Sequence, residues 1–162
     1  MKAISFAASL GLVAALATPA SAQLLTHKNL SLATALTIAT TAGETCKGQG
    51  YRVSVAVVGR TGEIIVHLRG DDASPHTIEN SQRKAFTART FRISSGEFAQ
   101  RVKDAPPGAA LWLTGISANP GGLPIKIGDE VIGGVGVSGS PGGDKDEACA
   151  KAGLDKVADQ LK

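Results

Sequence analysis

Aromatic side chains are nearly missing from this chain: of 162 residues, four are Phe, one is Tyr and one is Trp. Without a run of them there is no platform on which single-stranded bases would stack. Seventeen Lys and Arg face fourteen Asp and Glu, and no basic cluster occurs, so nucleic acid is not an expected partner. There are only two cysteines, with no CxxC and no histidine close to either in sequence, which argues against a thiolate metal centre. No nucleophile elbow, phosphate loop or Ser-His-Asp order is present. VGRTGE is too short for a phosphate loop, and GGVGVSGSPGG lacks the GxGxxG spacing. Internal repeats and linkers are absent as well, so one domain is expected.

What is present begins with a leader. Met1-Lys2 is a short positive start, Ile4 to Ala17 is nearly all apolar, and Ala20-Ser21-Ala22 offers the small residues that signal peptidase needs. Residues 1–22 read as a signal peptide and residues 23–162 as one mature, exported, soluble domain, periplasmic or secreted. The leader is too short for a stable bilayer anchor, and no later apolar run is long enough for a membrane helix. Loss of Lys2 lowers the formal charge from +3 to +2. In an oxidising compartment Cys46 and Cys149 can bridge; the alternative is two separate buried thiols.

In chain order, Leu32, Ala35, Leu36, Ala39, Ala42 and Cys46 mark one face of a helix, capped by Ser31 or Asn29 and ended by Gly48 or Gly50. Arg52–Val58 and Glu63–Arg69 read as strands joined by Gly59-Arg60-Thr61-Gly62. Ser74 as N-cap and Pro75 at the first helical position open a second helix reaching about Arg89. Ile78, Ala85 and Phe86 form its apolar side; Glu79 with Arg83, and Asn80 with Lys84, form its polar side. Ser94 or Ser95 caps a short helix carrying Phe98 and Val102, ended by Pro106-Pro107-Gly108. Ala109–Ile116, with Trp112, reads as a short strand or helical turn. Leu123–Ile127 and Glu130–Ser138 form a hairpin around Gly128-Asp129. The glycines of the second strand imply close approach by a ligand or subunit. Asp144 and Glu147 form a capping box for a last helix with Cys149, Ala150, Gly153, Val157 and Leu161 inward. If the first and last helices share one face of an antiparallel sheet, Cys46 comes near Cys149.

Several stretches carry a family resemblance: VSVAVV, RTGEIIVHLRGD and PHTIENSQRKAFTA, then SGEFAQRV and PGGLPIKIGDEVIGGVGVSGSPGGDKDEACA, with LSLATALTIA before them. Together they resemble the GlcG/HbpS family, the haem-degrading domain family that includes the C-terminal domain of PduO proteins. The resemblance implies an α+β fold, with an antiparallel five-stranded sheet of profilin-like type flanked by helices. It also implies oligomers, often octamers, and haem binding in the exported branch, where members act as haem-responsive sensors or accessory proteins. A membrane sensor partner is implied on that account. Three positions depart from the family pattern: Gly59 where many members have Asp, Gln82 where the exported branch has the second acid of an ExxE pair proposed for iron, and Ala109 where that branch has a hydroxyl residue.

The residues supply candidates. His76, at the start of a helix whose positive end favours the neutral imidazole, is a candidate haem ligand, as are His67 and His27. Arg69, Arg83 and Lys84 are candidates for haem propionates or another carboxylate. Asp71, Asp72, Glu79 and Asp144 could form an oxygen site for iron if the loops converge. Each has a plainer reading as a solvated loop, cap or helix-surface residue. The leading expectation is an exported, oligomeric haem-binding protein that buffers or senses haem. One alternative is an enzyme acting on haem, or on a small carboxylic acid through Asp71, Lys84 and Arg83. Another is a non-catalytic small-ligand or assembly module.

Overall fold

The computed structural model describes residues 23–104 and 113–162. The leader, Pro106-Pro107-Gly108 and Ala109 to Trp112 lie outside the described residues. The elements run α1 (Leu32–Gly48), β1 (Ser54–Val58), β2 (Ile64–Arg69), α2 (His76–Phe91), α3 (Ser95–Val102), β3 (Gly122–Ile127), β4 (Glu130–Ser138) and α4 (Gly143–Lys156), with a 3₁₀ turn at Ala158–Gln160. The strands form one antiparallel sheet in the order β2-β1-β4-β3. Among the described residues the sheet therefore has four strands, not the expected five. The described end of the Ala109–Ile116 segment is a turn, closed by the Ile116 N–H on the Leu113 carbonyl. It lies in the helix layer: Gly115 sits against the Phe86 ring, and the Ser117 N–H donates to Thr87 Oγ1 at 2.8 Å.

The strand period of two divides the sheet into two unlike faces. Val53, Val55 and Val57 pack with Val66, Val135, Val137, Ile125 and Ile132 under α1 and α4, in a core completed by Ala35, Ile38, Ala39, Ala42, Ala150 and Val157. Cys46 and Cys149 form a disulfide there, with Cα atoms 5.6 Å apart and both residues fully buried. The predicted stripe of α1 is off by part of a turn. Leu32 and Leu36 are exposed, and Ile38 takes the inner place. Ser31 does cap the helix, its Oγ accepting the Thr34 N–H at 3.1 Å.

The other face of the sheet carries little apolar side chain and is covered by α2, which touches all four strands. Its contacting residues are small or polar: Thr77, Ser81, Lys84, Ala85, Thr87 and Ala88 are buried, whereas Ile78 is exposed and Phe86 half-buried. The glycines of β4 explain this arrangement. A Cβ on Gly136 would lie 2.1 Å from the Ser81 carbonyl oxygen, and one on Gly134 would lie 2.3 Å from that of Ala85. The partner that needs these glycines is thus helix α2 of the same chain, where the sequence alone pointed to a ligand or subunit. Two caps also differ from expectation. At α2 the Ser74 carbonyl, not its hydroxyl, accepts from Thr77 N and Oγ1. At α4 the cap is Gly142 and no side chain caps.

Candidate functional site

Two clefts lie on opposite sides of the sheet. The larger, of about 520 Å³, opens between α1 and the β1–β2 edge. Ala39, Val53 and Val55, each less than 5% exposed, form its apolar floor with half-buried Leu68, and Lys47, Arg52 and Arg69 line it together with Glu44, Asp71 and Asp72, so the charges of its lining balance. Tyr51, which follows the end of α1, also lines it and is half-buried; its ring lies 5.5 Å from Lys145 Nζ. Asp71 and Asp72 line the same cleft and are exposed. Arg69 is oriented by two hydrogen bonds to the Ala73 carbonyl, from Nε at 3.1 Å and Nη2 at 2.6 Å.

The second cleft, of about 420 Å³, is on the α2 side. The start of α2, the Asn119-Pro120 turn, the end of β4 and the start of α4 build it. At its inner end is a buried ion pair. Lys84 Nζ donates to Asp146 Oδ2 at 2.7 Å and to the Val137 carbonyl at 3.0 Å. Asp146 Oδ1 accepts the Ser140 N–H at 3.0 Å. Lys84 is 2% exposed and Asp146 3%. Asn80 Nδ2 donates to Ser138 Oγ at 2.9 Å, and Asn80 Oδ1 accepts from Ser117 Oγ at 3.1 Å.

The sequence candidates are dispersed over these features. His76 is exposed and lines the polar cleft. His67 faces α2, with Nε2 3.0 Å from the Ile78 carbonyl and 3.2 Å from Ser81 Oγ, so that nitrogen is occupied in holding strand to helix. His27 is exposed in the lead-in and lines neither cleft. Arg83 is on the outer side of α2, paired with Glu79 one turn away. Lys84 was expected on that polar side with Asn80; it instead turns inward, because Asp146 neutralises it there. Asp144 is exposed and has no capping role. Asp71, Glu79 and Asp144 are not gathered, and among the described residues no group of three or more His, Cys, Asp or Glu is placed to hold a metal ion. Asp71, Lys84 and Arg83, the proposed enzymatic set, are likewise divided between the first cleft, the second cleft and the solvent side of α2.

Reading the sequence alone missed Tyr51, Arg52 and Lys47 in the first cleft and Asp146, Ser138 and Asn119 in the second. Asp146 carried a signal. It precedes Cys149, Ala150 and Gly153 by three, four and seven residues, which places it on the inward stripe of α4.

Among the described residues, Glu63 and Arg89 titrate away from their ordinary values. The Thr61 hydroxyl, donating to Glu63 Oε2 at 2.5 Å, holds the Glu63 carboxyl below its usual range. Burial, with Arg60 and Arg92 nearby, lowers the Arg89 guanidinium. Both lie at the β1–β2 turn and the end of α2, away from the residues that line the clefts.

Residues 30–155 match the family described as haem degrading protein HbpS-like. A crystal structure of HbpS is 38% identical, with a TM-score of 0.79, covering 82% of this chain and 93% of that one. A crystal structure of a PduOC–haem complex is 26% identical, with a TM-score of 0.69, covering 78% of this chain and 94% of that one. Protein GlcG of Escherichia coli K12 is 31% identical over 97 residues, which is 59% of this chain and 70% of GlcG. The fold, the matched span and these relatives agree: the chain belongs to the GlcG/HbpS family of HbpS-like haem-degrading proteins.

Proposed function

We propose that this protein binds haem in the cleft between α1 and the β1–β2 edge, as an exported and oligomeric binder that buffers or senses haem. The observation that carries the reading is the character of that cleft. Haem is a flat apolar ring with two carboxylates at one edge. Half-buried Leu68 and Tyr51 over the core residues Ala39, Val53 and Val55 give one concavity of about 520 Å³ an apolar floor, and Lys47, Arg52 and Arg69 offer partners for the two carboxylates, although Glu44, Asp71 and Asp72 share the same lining. Tyr51 is the lining side chain that offers a phenolic oxygen, a known type of axial donor. The second cleft is a poorer match, because Pro120 is its only lining side chain of any size that is purely apolar. The family and the PduOC–haem complex support the same ligand.

Export rests on the leader at residues 1–22, and the Cys46–Cys149 disulfide is consistent with an oxidising compartment. Self-association draws on exposed Leu24, Leu25, Leu32 and Leu36 at the start of the chain, which leave apolar surface for a second copy. A membrane sensor partner and a bound iron ion apart from haem are further parts of the proposal, with no residues assigned. Titrating haemin into the purified mature protein is expected to give a saturable Soret shift at micromolar protein. Absence of saturation would remove the reading.

A further inference from the structure

We infer that the polar cleft at the start of α2 is a second ligand site, taking a short monocarboxylate, separate from the haem cleft and independent of the haem reading. Lys84 is the buried cation of this cleft. An ammonium group has three N–H donors. Two are taken by Asp146 Oδ2 and the Val137 carbonyl, and among the described residues the third has no acceptor. The side chain is nonetheless 2% exposed, lines the cleft, and is surrounded by other polar lining groups: Asn80, Asn119, Ser138 and Ser140. An ion pair this deep is a costly way to hold a helix on a sheet; well-packed apolar residues of similar volume would serve as well or better. Lys84 and Asp146 both line the open cleft, which gives the pair a use that packing does not.

The surroundings set the sign and size of the ligand. Ser138 Oγ already accepts from Asn80 Nδ2, so its own proton is free to be donated. The N-termini of α2 and α4 border the cleft through Thr77 and Gly143, adding the partial positive charge of two helix ends. Asp146 neutralises Lys84, so the site offers donors and helix-end fields but little net side-chain charge. That balance suits one negative charge and disfavours two. A volume of about 420 Å³ is ample for a short acid with room for water.

The test is calorimetric titration of the full mature protein with acetate at fixed ionic strength, with sodium chloride as control and Ser138→Ala as the localising variant. Ser138→Ala leaves the Lys84–Asp146 pair intact, so it avoids the folding loss that a Lys84 variant risks. Saturable acetate binding is expected, weakened roughly tenfold in Ser138→Ala through loss of a hydrogen bond to a charged group. The inference is overturned if acetate does not saturate, if chloride reproduces the signal, or if Ser138→Ala binds like the parent. Haemin binding does not enter this measurement, so its failure leaves the haem reading untouched, and the reverse holds too.

Discussion

At the scale of single residues, the buried pair and the turn carboxylate make opposite demands on their surroundings. Lys84 and Asp146 are each nearly inaccessible, and each neutralises the other. Lys84→Met alone leaves a buried carboxylate without its partner and is expected to destabilise by about 3–5 kcal/mol in urea denaturation. Adding Asp146→Leu is expected to recover part of that loss, because it removes the stranded charge but leaves the Ser140 N–H without its acceptor; no recovery at all would mean the pair contributes more than mutual neutralisation. Glu63 is a surface case. Its folded pKa is depressed from 4.5 by the Thr61 hydroxyl, so the associated stability is present above 4.5 and lost as pH falls through the lower folded value. The stability advantage of the parent over Thr61→Val is therefore expected at neutral pH and expected to vanish in acid, as read by denaturation at a series of pH values. The Glu63 carboxylate also fills the space above Gly59, where a Cβ would lie 2.1 Å from Oε1.

At the scale of elements, the residues that look weakest for secondary structure set the packing. Gly134 and Gly136 thin β4 so that the backbone of α2 can lie on it. Gly136→Ala is expected to cost about 1–3 kcal/mol or more, because the intruding Cβ would meet a helix carbonyl that cannot move independently. Gly48→Ala is the contrasting case: it lies within α1 with nothing within 4 Å, and is expected to stabilise by about 0.4–1 kcal/mol. The two variants compared by thermal denaturation separate close packing from backbone entropy. Most element boundaries were legible from the sequence, because caps, turns and the period-two valines are local signals. The inward face of α2 was not. Its residues Thr77, Ser81, Lys84 and Ala88 recur at steps of four, three and four, but a stripe containing lysine is read as solvent-facing until a distant Asp146 is known to meet it. Leu32 and Leu36 misled in the other direction. They share a helical face in sequence, yet the sheet accepts the side that carries Ala35, Ile38 and Ala39.

At the scale of the whole molecule, two unlike layers hold one sheet: an apolar, disulfide-linked layer of α1 and α4, and a tightly apposed polar one of α2. The disulfide joins positions 103 residues apart, so its removal in Cys46→Ala/Cys149→Ala is expected to cost about 4–5 kcal/mol on the chain-entropy argument, seen as a lower denaturation midpoint. The pairing followed from placing the first and last helices on one face, a global inference from local periodicity. Neither cleft could be foreseen in this way, since each is lined by residues from several elements distant in sequence. The histidines drew attention because they are chemically versatile, but the first cleft contains none of the three. Occupancy of this first cleft by haem is tested most directly by haemin titration of the parent beside Leu68→Glu and Ser138→Ala. One saturable Soret transition is expected in the parent and in Ser138→Ala, and its loss is expected in Leu68→Glu, where a carboxylate replaces part of the apolar wall. Unchanged haemin binding by Leu68→Glu, or no saturable binding by the parent, would contradict it.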